Sequence, residues 1–378
     1  MLTERLPLAL NAKEGPPVRI SMGRRAVLPA LALVAALLAA TAAGAEPTAK
    51  APGPLAALIK KSKTESGLVF YGNPPTANFN ALVERFHYYY PWIKVTSYDL
   101  DDNTIFSKYA SEAAQGTRTA DILIASAPNL WVYAARKGYA LRTFTPLGLA
   151  NYPKFVKQYP GIFIMSPDPA IIVYNKLLLK DKVPNGLTEI ANDTGTYDKL
   201  TGYTVDNTFG YTGLYGYVQK KGWANLEKIA KRLKPQSGVA GQLQLVSQGG
   251  AVAAYLTSPT ARFTIKANSQ LQSILDWTYA KDATPLVTRG IAVTRKAKSP
   301  ASAKLFLDFV YSKAGQLAMC DAGFTAFRNK YTPPNGCTNT LADVYKKVGQ
   351  KNVYVAGFTA KFVNDRPAFS KRWHSIFG

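Results

Sequence analysis

The stretch GIFIMSPDPAIIVYNKLLL, residues 161–179, constrains the fold of this chain more than any other. Two apolar runs, each long enough for a buried strand, are separated by two prolines with no helix between them. Before it the rhythm is different. LVFYG (68–72), IKVTSYDL (93–100) and ADILIAS (120–126) read as strands, and helical patterns alternate with them. Phe79, Leu82, Val83 and Phe86 recur at i, i+3, i+4, i+7, and TIFSKYASEAAQG is a helix closed by Gly116. Alternation of this kind gives a parallel sheet with helices on both faces. The 161–179 stretch breaks it and carries the chain into another lobe.

Beyond that break, Leu226, Ile229, Ala230 and Leu233 mark one helical face, GGAVAAYLTS is apolar, and NSQLQSILDWTYA reads as a helix. TPLVTRGIAVTRKAKSP is an extended return segment, and Ser299-Pro300 is a cap and first-turn pair for the next helix. A chain of 378 residues exceeds what one core organises, and 47% hydrophobic content with 18% charge argues against disorder. The predicted fold is a two-lobed α/β protein, two doubly wound domains joined by hinge strands. Lobe one takes residues 46–166 plus 287–378, and lobe two takes 167–286.

Residues 1–45 stand apart. Arg24-Arg25 precede AVLPALALVAALLAATAAGA, which ends in Ala43-Gly44-Ala45, the three parts of a secretory signal peptide cleaved after Ala45. Export to the periplasm is the expectation, with an uncleaved membrane anchor as the alternative and Met22 as an alternative start. An oxidising compartment makes the two cysteines a disulfide pair, Cys320 with Cys337. Formal charge is +23; removing residues 1–45, with five bases and two acids, leaves +20. That balance attracts anions, or simply solvates the surface. The bases are scattered rather than clustered, which together with export excludes nucleic acid as a partner.

These segments together resemble the extracellular solute-binding proteins of ABC importers, in the branch of ferric-ion, phosphonate and sugar-phosphate binders. The resemblance runs from about Gly67 to Arg328 and rests on the order of GLVFYGNPP, LVERFHYYYPWIKV, YASEAAQGTRTADILIASAPNLWVYAARKGYALRTFTP, AIIVYNKLLL and RGIAVTRKAKSPASAKLFLDFVYSKAGQLAMCDAGFTAFR. It implies two lobes that close on ligand about a hinge. It also implies a monomer that hands a small-molecule ligand to the transmembrane subunits of an ABC permease.

Ligands of doubly wound sheets sit outside the carboxyl ends of strands. That rule names Gly72 and Asn73 after LVFY, and Ser126 and Ala127 after ADILIA, as donors to carboxylate or phosphate oxygens. The alternative is that Asn73 and Ser126 cap their helices. In TVDNTFGYTGLYGYVQKKGW (204–223), Gly210 permits close backbone approach, Thr208 and Thr212 offer hydroxyls, and a following helix points its positive end at the turn. By resemblance this turn contacts ligand from the second lobe, with Tyr211 as wall or donor and Phe209 in place of a small residue; half-buried packing is the competing role for its tyrosines, Tyr215 above all. Ferric binders of the branch resemble one another in a pair of adjacent tyrosines; here Tyr255 stands alone, and Arg262 occupies the position of a tyrosine ligand. Arginine there favours an anion through its bidentate fork, or is a surface cation.

The chain has only His87 and His374, with no nucleophile elbow, P-loop or H-E-x-x-H helix. Asp121, Asp168, Asp206 and Glu112 are available carboxylates without a catalytic pattern. No catalysis, cofactor or metal is expected. The expected function is capture of a small anionic organic ligand, a phosphonate, sugar phosphate or carboxylate. The alternatives are a ferric-ion or ferric-chelate binder and a non-transport periplasmic scaffold.

Overall fold

The computed structural model describes residues 53–378; the expected signal peptide and its cleavage site lie outside the described residues. Among the described residues the strands form two sheets. The first joins β2 (Val95–Asp99), β1 (Leu68–Gly72), β3 (Ile122–Ala125), β11 (Thr284–Val293), β5 (Ile162–Pro169) and β4 (Lys157–Tyr159) in that order, with β12 (Val353–Val355) paired to β11. The second runs β10 (Leu275–Tyr279), β6 (Ile171–Asn175), β9 (Ala253–Thr257), β7 (Leu200–Tyr203), β8 (Leu233–Gln236).

Helices α1 (Gly53–Ser62), α2 (Thr76–Tyr89), α3 (Asp102–Gln115) and α4 (Pro128–Lys137) alternate with β1–β3. Between β6 and β10 come α5 (Leu187–Asn192), α6 (Thr208–Lys221), α7 (Ala224–Ile229), α8 (Val239–Ser247), α9 (Ala261–Lys266) and α10 (Ser269–Ile274). After β11 follow α11 (Pro300–Val310), α12 (Lys313–Asp321), α13 (Leu341–Val348) and α14 (Ala360–Phe377). No helix among the described residues is long and apolar enough to cross a membrane.

The 161–179 stretch does carry the chain from one sheet to the other, because β5 passes into β6 through Ala170 alone. The return runs from β10 into β11, and the two crossings pair antiparallel, with Pro169 opposite Leu286 and Asp168 opposite Val287. The Ala170 N–H donates to the Pro285 carbonyl at 2.8 Å, continuing the ladder through the hinge. Strand β4 pairs with β5 only at Ile162 and Phe163, so further along β5 is an edge, the place where strand prolines such as Pro167 and Pro169 are tolerated. Helix α2 buries Phe79, Leu82, Val83 and Phe86 as its periodicity predicts, and Phe70 of β1 and Phe306 of α11 meet them edge-on.

Four local expectations are corrected. Helix α6 starts at Thr208, so Gly210, Tyr211 and Thr212 lie inside it rather than in a turn before it. Leu233 opens β8 instead of continuing the helical face of Leu226 and Ile229. NSQLQSILDWTYA is helical only to Ile274, after which the alternating Leu275, Trp277 and Tyr279 extend as edge strand β10 against β6. Ser299 precedes α11, but its hydroxyl makes no cap; Glu65 instead accepts from the N–H groups of Ala301 and Ser302 at 2.9 and 2.8 Å. Helix α14 follows the first sheet in the chain yet packs Phe362, Phe369 and Trp373 into the second sheet's core. Cys320 and Cys337 are joined, closing the loop after α12.

Candidate ligand-binding cleft

Strand β1 ends against β3 at a tightly enclosed glycine: a Cβ on Gly72 would stand 3.0 Å from Pro74 Cδ and 3.1 Å from the Ile124 carbonyl oxygen. The next residue, Asn73, uses both ends of its amide. Its Nδ2 donates to Asp102 Oδ1 at 2.6 Å, and its Oδ1 accepts from Arg289 at 2.5 Å. The Arg289 Nε lies 3.4 Å from Asp168 Oδ2, and the guanidinium covers the Phe324 ring at 5.6 Å. Asp168 accepts from the Ser166 hydroxyl, which in turn accepts the Thr325 N–H at 2.9 Å. One network therefore runs from the head of α3 through the hinge strands to the segment after α12. Arg289, Asp168 and Ser166 are buried, and buried charges persist only when paired and hydrogen-bonded.

Backbone geometry brings Arg289 here. The register of β11 on β5 shifts between Arg289 and Gly290, and a Cβ on Gly290 would overlap the Trp131 indole. An irregularity of this kind re-aims the side chain beside it.

Asp102 marks where the two sheets' elements meet. Its neighbour Asp101 caps α3, accepting from the Thr104 hydroxyl and from the N–H groups of Asn103 and Thr104 at 3.0 and 3.1 Å; the Thr104 hydroxyl, then these backbone bonds, hold that carboxyl below its ordinary value. Asp102 is left for the cleft. The residue is half-buried with its carboxyl turned inward, and desolvation pushes it up to about 6 against the pull of the Thr208 hydroxyl and the Arg289 guanidinium. Thr208 heads α6 in the second sheet's half, and Arg366 of α14 adds its charge to the same carboxyl.

The structure brings together only some of the residues named from sequence. Gly72, Asn73 and Thr208 lie at the network. Neither Asn73 nor Ser126 caps a helix: α2 has Pro75 and α4 has Ala127 at the N-cap, without a side-chain bond. The Ser126 hydroxyl is buried with no partner, as is the side-chain amide oxygen Oδ1 of Asn129, the second residue of α4. Phe209 packs on Tyr203 with ring centroids 5.2 Å apart. Gly210 faces its own protein, since a Cβ there would overlap the Thr204 carbonyl and stand 2.7 Å from Tyr203 Cβ. The Tyr211 hydroxyl donates to the Phe362 carbonyl at 2.7 Å, and the Thr212 hydroxyl to the Thr208 carbonyl at 2.7 Å.

Tyr255 stands in the core of β9 against Tyr217; its phenol, buried without a partner, is pushed well above its ordinary value by desolvation. Arg262 belongs to a different surface, donating to the Pro259 carbonyl and the Tyr279 hydroxyl, both at 3.1 Å. Sequence reasoning misses Asp102 and Arg289 and gives Asp168 no place in the site. Arg289 carries a signal, as the one charge in the ten-residue strand TPLVTRGIAV, which is buried throughout. Asp102 carries a fainter one, as the second of two aspartates where a helix needs a single cap.

Two α/β halves around a polar seam, joined by paired hinge strands, are the build of a protein that holds a solute between lobes. The model of the bacterial extracellular solute-binding protein family matches residues 72–317, and the chain belongs to that family. Among solved structures it is similar to the substrate-binding protein of an ABC transporter from Agrobacterium tumefaciens, with 20% identity, 82% of this chain and 95% of that one covered, and a TM-score of 0.71. It is similar to iron-bound HitA from Pseudomonas aeruginosa, with 15% identity, 81% and 99% covered, and a TM-score of 0.64. It is also similar to AfuA from Actinobacillus pleuropneumoniae, determined with exogenous fructose-6-phosphate bound, with 14% identity, 82% and 98% covered, and a TM-score of 0.63. At these identities the likeness is one of fold. No curated protein matches the sequence.

Proposed function

We propose that this protein is the periplasmic capture component of an ABC importer, a monomer that binds a small anionic organic ligand between its lobes and passes it to the permease unchanged. The observation that carries the anion is the start of α4. A ten-residue helix begins there with no side-chain cap, beside the buried, unpartnered Ser126 hydroxyl. Helix N-termini and free hydroxyls are donors for carboxylate and phosphate oxygens. The ferric alternative needs phenolate ligands, and Tyr255, the tyrosine nearest in sequence to the expected pair, has the opposite environment.

A thermal-shift screen of the metal-stripped protein against phosphonates, sugar phosphates, carboxylates and ferric citrate tests this reading. Ligand that binds only the folded state raises the melting temperature by mass action. The expected result is a rise with an organic anion alone. A rise with iron, accompanied by a visible charge-transfer band, replaces this reading with the ferric one, and a chain that neither shifts nor changes shape with any solute supports the scaffold.

A further inference from the structure

Beside the cleft lies a cavity of about 510 Å³ that the Arg289 network does not use. One wall is α9 and β10 of the second sheet, and the other is the loop that Cys320 and Cys337 close. Its volume is within the range of small-molecule sites. Gly323 lines it, and the next residue, Phe324, lies beneath Arg289, so one residue separates cavity from network.

The cavity's chemistry is that of a host for oxyanions. Arg262 is only 5% exposed, and its guanidinium spends Nε on Pro259 and Nη1 on Tyr279 while Nη2 is buried with no partner. A buried cationic donor without an acceptor is costly, and a planar fork suits carboxylate or phosphate. Trp277 holds the guanidinium in place from 5.0 Å. Lys266 and Lys176, whose Nζ donates to the Gln272 carbonyl at 2.7 Å, stand on the same wall. Two carboxylates also line the cavity, Asp276 accepting from the Trp277 N–H at 2.7 Å and Asp321 from Asn335 Nδ2 at 2.5 Å, so the three cations outnumber them by one. The loop wall is fixed covalently by the disulfide and held further by a hydrogen bond from the Asn339 amide to the Cys320 carbonyl at 3.1 Å.

We propose that this cavity seats the phosphate or carboxylate group of the ligand, held by the free edge of Arg262 with Lys266 and Lys176 around it, the rest of the ligand facing the Arg289 network. The inference rests on the solute-capture reading above and seats the phosphate or carboxylate group here, leaving the start of α4 and the Ser126 hydroxyl to the ligand's remaining oxygens.

Calorimetric titration of the full chain with inorganic phosphate, glucose 6-phosphate and citrate, at matched chloride, tests it. Saturable binding of the organic phosphate or of citrate is expected, and which of the two binds tells phosphate from carboxylate. Lys266→Glu, an exposed change that leaves the fold alone, should weaken binding roughly tenfold, and Arg262→Gln by at least as much. Reducing the disulfide should weaken it as well by releasing one wall. Unchanged affinity in both variants, with binding lost in Asn73→Ala, overturns the cavity and leaves the cleft reading standing. No saturable heat with any of the three at millimolar concentration overturns both.

Discussion

The two walls of the cleft are built on opposite plans. The first sheet's wall is an electrostatic circuit, with Asp102, Asn73, Arg289, Asp168 and Ser166 each bonded to the next. The second sheet's wall is a packed aromatic block in which Phe209, Tyr211, Tyr215 and Tyr217 of α6 are buried and α14 lies over them. Tyr211 and Tyr215 spend their hydroxyls on the Phe362 carbonyl and on Asp365, both at 2.7 Å. The difference separates charge from packing: one side holds the buried charges in a bonded chain, and the other is a rigid aromatic block whose helix α6 starts with Thr208, the hydroxyl that acts on Asp102.

If the circuit is what stiffens the hinge, cutting it at its centre gives the largest effect. Arg289→Met removes the buried cation that faces both Asp168 and Asn73, leaving a carboxylate with no opposite charge. Breaking a buried pair from one side costs about 3–5 kcal/mol. Urea denaturation of the variant should show a stability lower by that amount; a loss under about 1 kcal/mol, the range of a surface pair, would dissolve the contrast between the walls.

Much of the fold is legible in the amino-acid sequence. Strand and helix alternation, the hinge at 161–179 and the burial of α2 follow from periodicity, since each is a local pattern with a local cause. The aromatic block is legible as composition, yet its letters suit a ligand turn equally well, because Gly210 and Tyr211 are the same residues whether they face a solute or their own protein. What sets their role is α14, more than a hundred residues later, whose Phe362 carbonyl takes the Tyr211 hydroxyl. Asp102 and Arg289 are harder still. Their meeting depends on a register shift in β11 and on Gly290 passing beside Trp131, and neither follows from the residues alone.

The block itself can be probed by two glycines on one helix. An alanine methyl at Gly210 meets the Thr204 backbone and Tyr203, whereas at Gly213 it meets only Leu256 side-chain atoms, the nearest at 3.8 Å. Gly210→Ala should cost about 1–3 kcal/mol as overpacking against an immovable carbonyl. Gly213→Ala should gain up to about 1 kcal/mol from helix propensity. Thermal melts of both, with ligand affinity measured alongside, separate shape from contact: affinity lost at Gly210→Ala without loss of stability would return that position to the binding surface.

The mildest change tests the circuit's titratable end. Burial lifts Asp102 from an ordinary 3.8 to about 6, so between about pH 4 and pH 6 the unfolded chain gives up this proton while the folded chain keeps it. Stability therefore falls as pH rises through that window and carries a constant penalty above it. Asp102→Asn keeps an oxygen to accept from Asn73 Nδ2 and has no proton to lose. Its melting temperature should decline less than the parent's between about pH 4 and pH 7 and should equal or exceed the parent's at neutral pH, the reverse of Arg289→Met. An unchanged pH slope would mean that the Asp102 carboxyl stays open to water in the folded protein and that the circuit ends at Asn73.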